Sequence, residues 1–183
     1  KEEESETRVS DGDFRSAWET VKLSRAKDRA HAKDYIDALF PDFMELHGDR
    51  CYGDDEAVIG GIASFHGIPV SSGGALGVAT ANEVWMMENA VYSILSPEGF
   101  AAILYRDAKQ AELAAENMRL TSRDLLELGV IEKIIPEPEP VTFENIQTVA
   151  RELEPELLEF IGKYSAMSRD ELANQRYERF RKF

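Results

Sequence analysis

Ser71-Ser72-Gly73-Gly74-Ala75-Leu76, followed further along by Ser96-Pro97-Glu98-Gly99, carries most of the information in this chain. The first of these places side-chain-free backbone at the point where a run of small residues opens a helix. Unpaired N–H groups and the positive end of the helix dipole converge there. Such a site stabilises an oxyanion, and each preorganised amide donor lowers a barrier by about 3 kcal/mol. The same Gly73-Gly74 pair also suits nothing more than close packing of a helix. Ser96-Pro97-Glu98-Gly99 has two readings as well. It is a turn plus helix start, since Ser, Pro and Glu all fit the first positions of a helix, or it is the wall of a pocket.

Upstream of Ser71, residues 47–55 are polar and glycine-punctuated and read as a loop. Residues 57–65 read as a strand with Gly60-Gly61 at its centre, His66-Gly67 as a hairpin turn, and Ile68-Pro69-Val70 as a brief returning strand. Ser71 and Ser72 are expected already in the loop. Further back, Phe14, Ala17, Trp18 and Val21 share one helical face, with Ser10, Asp11 or Asp13 as the cap. A second run through Tyr35, Ile36, Leu39, Phe40, Phe43 and Leu46 is interrupted by Pro41 and predicts two short helices meeting there.

Downstream, residues 84–87 and 91–95 read as strands, and a helix follows through Leu104 and Tyr105. Residues 108–118 are helical. Thr121-Ser122-Arg123-Asp124 forms a capping box for a short helix stopped by Gly129, and residues 130–135 form a strand. Pro136, Pro138 and Pro140 make an extended connector, residues 143–164 a helix around Pro155, and Ser168 with Glu171 caps the last helix, which ends in the basic stretch 176–182. The alternation of strand and helix predicts an α/β class. The divisions expected are a lead-in over 1–10, a helical region over 11–56, a core over 57–140 and terminal helices over 141–183.

With 183 residues, 43% of them hydrophobic, the chain can bury the core of one ordinary domain. Its 35 acidic residues against 21 basic ones give a net charge of −14, which repels a phosphate backbone and argues against nucleic acid as a partner. The single cysteine, Cys51, allows neither an internal disulfide nor a multi-cysteine zinc site, so no metal is expected in this chain. No window is apolar enough to cross a bilayer, and the acidic N-terminus is unlike a signal peptide; the expectation is a cytoplasmic protein off the membrane. His31, His47 and His66 fall in surface turns or helix ends and are given structural roles. Asp49, Arg50, Asp54 and Asp55 read as a charged structural loop.

Several collinear motifs together resemble one family. The Gly73-Gly74 loop and the Ser96–Gly99 helix start resemble the crotonase superfamily. Tyr92-Ser93-Ile94-Leu95 running into Ser96, Leu46-His47-Gly48-Asp49-Arg50 with Gly53-Asp54-Asp55, and Ile59-Gly60-Gly61-Ile62-Ala63 narrow the match. So do Ile134-Ile135-Pro136-Glu137-Pro138 and Asn174-Gln175-Arg176-Tyr177. They are similar to the alpha subunits of bacterial acetyl-coenzyme A carboxylase carboxyltransferase, over about residues 18–180.

The resemblance implies a crotonase-like spiral core with flanking N- and C-terminal helices. It implies transfer of a carboxyl group from carboxybiotin to acetyl-coenzyme A, giving malonyl-coenzyme A for fatty acid biosynthesis. It implies a beta subunit that carries zinc and receives the thioester, an assembly of two alpha and two beta subunits, and association with biotin carboxyl carrier protein and the ATP-consuming biotin carboxylase. The amides of Gly73 and Gly74 become the expected oxyanion donors, Ser71 and Ser72 shape their loop, and Pro97, Glu98 and Gly99 line the pocket. One departure stands out. The family carries several core strands after the equivalent of Val70, and part of that core is absent here; an intact mass well above 20.6 kDa is expected if the protein contains it. Two other readings remain: a stand-alone crotonase-type hydratase, hydrolase or decarboxylase using Glu98, and a noncatalytic assembly subunit.

Overall fold

A computed structural model describes residues 15–47, 59–72 and 81–182. The first helix, α1 (Ala17–Ser24), starts at a capping box formed by Ser16 and Glu19, each side chain accepting from the other's backbone N–H. The cap is therefore Ser16; Ser10, Asp11 and Asp13 lie outside the described residues. Helix α2 (Ala32–Leu39) stops before Pro41, and the second helix expected beyond that proline is instead a turn followed by the short strand β1 (Met44–Glu45). Pro41 restarts nothing, because β1 finds a partner in β2 (Gly61–Phe65), with Met44 opposite Ile62.

The hairpin predicted at His66-Gly67 is present. His66 has φ 49° and Gly67 φ 80°, the pair of left-handed conformations that matches the twist of a two-residue hairpin. The returning strand β3 (Ile68–Ser72) is longer than expected: Ser71 and Ser72 pair with Ile62 and Gly61 rather than lying in a loop. Gly61 has a packing reason of its own, since a Cβ there would collide with the Met44 carbonyl and the Phe43 ring. The small-residue helix expected after Gly74 falls outside the described residues.

Strand β4 (Trp85–Met87) pairs in parallel with β5 (Lys133–Ile135). The strand expected over 91–95 is reduced to one bridge, Val91 to Thr121, because Ser93 and the Ser96 cap draw the backbone toward a helix start. Helix α3 (Pro97–Leu104) follows, then a 3-10 turn (Ala108–Gln110) leading into α4 (Ala111–Met118). Helix α5 (Ser122–Glu127) has the predicted Thr121–Asp124 box, and Gly129 takes φ 72° at its end. Helix α6 (Ile146–Ser165) passes through Pro155 unbroken, and α7 (Arg169–Phe180) starts at the predicted Ser168–Glu171 box.

Many of the buried apolar side chains among the described residues gather in three clusters. Ala17 and Val21 of α1 meet Ala115 and Leu120; Ala30 meets Val141 and Ile146; Met86 meets Leu125 and Ile131. The result is a mixed α/β protein in which, among the described residues, two small sheets, β1-β2-β3 and β4-β5, share no strand.

Candidate functional site

Ser96 builds the best-described part of the expected site. Its hydroxyl accepts the Gly99 N–H at 3.1 Å, Pro97 occupies the helix position whose N–H would go unused, and Glu98 lies in the first turn, where the dipole favours a carboxylate. Glu98 is not free. Arg25, which ends α1, donates to both of its oxygens at 2.7 and 3.2 Å. That hydrogen-bonded guanidinium, helped by the backbone N–H of Glu98 itself, holds the carboxyl down at about 2, and Glu98 in turn raises Arg25. A carboxylate so strongly acidic and already engaged on both oxygens is a poor general base at neutral pH.

Of the other expected site residues, Ser71 and Ser72 stand in β3 against β2, whereas Pro97, Glu98 and Gly99 open a helix that packs on α4. Gly73 and Gly74 lie outside the described residues, as do Asp49, Arg50, Asp54 and Asp55. His31 sits at the N-cap position of α2, and His66, in the hairpin turn, contacts Glu154 of α6.

Sequence reasoning missed a buried ionic network close by. Glu137, its side chain fully buried, accepts two bonds from Arg29 at 2.7 and 3.1 Å and one from Asn89 at 2.6 Å. Arg15 donates to the other end of Asn89 at 3.0 Å, and the Glu137 N–H donates to Glu88. This network fastens the N-terminal residues to the strand ends after β4 and β5. The only signal in the sequence was Glu137 between two prolines; its partner 108 residues away carries no local pattern. Tyr35 lies beside this network with its hydroxyl buried and unpaired, and burial pushes that phenol up to about 12.

A second network closes the C-terminal end. Burial pushes the Glu83 carboxyl up, but bonds from Lys163 and Tyr164 at 2.6 Å and from Trp85 at 2.8 Å outweigh it and leave its pKa lowered. Among the described residues no group of three or more His, Cys, Asp or Glu is placed to hold a metal, and no helix is long and apolar enough to cross a membrane.

These elements define a mixed α/β chain in which a capped helix start and a strand leading to Gly73 are the expected contributors to one site. Comparison with known proteins then names the family: the chain belongs to the acetyl co-enzyme A carboxylase carboxyltransferase-like proteins, whose family model matches residues 5–71 and 70–183. Among similar curated proteins, the acetyl-coenzyme A carboxylase carboxyl transferase subunit alpha of Listeria monocytogenes serotype 4b is 32% identical over 257 aligned positions. These take in 91% of this chain and 81% of the relative. The subunit of the same name from Clostridium botulinum (strain Eklund 17B / Type B) is also 32% identical, covering 91% of this chain and 94% of its own. That from Shouchella clausii is 31% identical over 90% and 79%. The aligned positions outnumber the 183 residues here, so the relatives carry residues with no counterpart in this chain, and the two pieces of the family match meet at 70–71.

Proposed function

We propose that this chain is the alpha-type subunit of a carboxyltransferase that moves the carboxyl group of carboxybiotin onto acetyl-coenzyme A, forming malonyl-coenzyme A at the start of fatty acid synthesis. The observation that carries the reading is the family match, which runs through both Ser71 and the Ser96–Gly99 helix start. Carboxybiotin, delivered on its carrier protein as a co-substrate, supplies the carboxyl group and a ureido nitrogen able to take the methyl proton. What is left to this chain is to hold negative charge. The amides of Gly73 and Gly74 do so, on a loop shaped by Ser71 and Ser72 at the end of β3, within a crotonase-like spiral core. Pro97 and Gly99 form the pocket wall, and Glu98 fixes that wall to α1 through Arg25 rather than moving protons.

The beta subunit, bearing zinc, receives the thioester. Two alpha and two beta subunits assemble with biotin carboxyl carrier protein and biotin carboxylase, in the cytoplasm. The engagement of Glu98 weighs against a stand-alone hydratase or hydrolase, because that reading needs Glu98 as its base. The test is Gly73→Val and Gly74→Val in the assembled complex. Valine keeps the backbone N–H, but its side chain displaces that donor, so a fall in kcat of about 10²–10³, as for a lost oxyanion donor, is expected with the complex intact. Unchanged turnover would transfer the reading to a noncatalytic assembly subunit.

A further inference from the structure

Between α2, the β2-β3 hairpin and α6 lies a cleft of about 320 Å³ that includes none of the residues discussed for carboxyl transfer. Its size falls at the lower end of the roughly 300–1,000 Å³ range of small-molecule sites. The floor is apolar. Leu39 and Pro41 close one side, and Phe65 and Ala150, each only 3% exposed, form the base.

The rim is polar and asymmetric. Gln147 and Arg151, four residues apart on α6, present an amide and a guanidinium on the same helical face. Arg151 makes no hydrogen bond or ion pair with any described residue. Two nearby carboxylates have partners of their own: Glu154, which lines the same rim, contacts His66 of the hairpin turn through one oxygen, and both oxygens of Asp42 accept from the Ser64 N–H, at 3.1 and 3.2 Å. A guanidinium fork above an apolar floor, with the rim carboxylate Glu154 held by His66, matches one ligand chemistry.

We propose that this cleft binds a small organic carboxylate, its charged end bidentate on Arg151 and its apolar body on Phe65 and Ala150. The net charge of −14 gives no long-range attraction for anions, so selection rests on the local fork and on burial of the apolar body. A bare inorganic anion would gain only the first of these. The inference stands apart from the carboxyltransferase reading and does not depend on it.

Benzoate and its neutral isostere benzamide, titrated into the whole chain by isothermal calorimetry and ligand-observed NMR, test it directly. Saturable benzoate binding is expected, weakened about tenfold or more by Arg151→Gln and unchanged by Lys27→Gln, an exposed lysine that does not line the cleft, with benzamide weaker than benzoate in the parent protein. Arg151→Lys, which keeps the charge and removes the fork, is expected to fall between the parent and Arg151→Gln; circular dichroism and the thermal midpoint of each variant establish that it is folded. The proposal is overturned by the absence of saturable benzoate binding, by equal binding in Arg151→Gln, or by benzamide binding as well as benzoate.

Discussion

Glu98 illustrates how one ion pair can redirect the reading of a residue. In the sequence it was the obvious carboxylate; in the structure its two oxygens belong to Arg25, and its pKa is held at about 2. Since the folded value lies below the ordinary carboxylate value of 4.5, the pair contributes stability at neutral pH that is lost as pH falls from about 4.5 toward 2. Both partners are more than a third exposed, so solvent screens the contribution to about 0.5 kcal/mol or less. Arg25→Gln should raise Glu98 toward the ordinary carboxylate range, read by NMR titration of its side-chain carbon, with hardly any change in thermal midpoint. Tyr35 makes the opposite case. Its buried hydroxyl has no partner among the described residues, and an unsatisfied buried polar atom costs about 1–3 kcal/mol. Tyr35→Phe is therefore expected to leave stability unchanged or raised in urea denaturation; a loss above about 1 kcal/mol would mean the hydroxyl is satisfied in solution.

At the scale of elements, the parts legible in the sequence were those written locally. The boxes at Thr121–Asp124 and Ser168–Glu171, the His66-Gly67 turn and the Gly129 stop each need only a few adjacent residues, and each is where the pattern put it. The Ser16–Glu19 box obeys the same rule and was passed over in favour of caps further back. Elements that depend on distant partners were misread. Residues 43–46 have helical spacing, yet Met44 and Glu45 pair with β2; residues 91–95 have strand composition, yet only Val91 finds a bridge. Of the expected site, the Ser96–Gly99 helix start was legible because capping is local, whereas the grip of Arg25 on it was not. The Arg29–Glu137–Asn89 network lies beyond local patterns altogether. Removing one member leaves a buried charge unpaired: Glu137→Ala is expected to cost about 3–5 kcal/mol in chemical denaturation, while Arg29→Met combined with Glu137→Leu recovers most of that loss. Equal losses in the single and double variants would show that the pairing is not the source.

Among the described residues much of the apolar burial is divided among three small clusters, and large apolar side chains remain uncovered: Ile94 is 97% exposed, Ile103 66% and Leu104 60%. Among the described residues β4 and β5 form a two-stranded parallel sheet, whereas parallel strands are ordinarily covered on both faces and continued at both edges. The uncovered side chains accord with a chain that functions inside a larger assembly, and with relatives named as subunits. The most direct measurement mixes the protein with a beta-type carboxyltransferase subunit and follows malonyl-coenzyme A decarboxylation with free biotin as acceptor, each subunit also being assayed alone. Turnover in the mixture and silence in both separate tubes is the predicted result. Turnover by this chain alone, or none in a mixture shown to have assembled, would contradict a split-site carboxyltransferase.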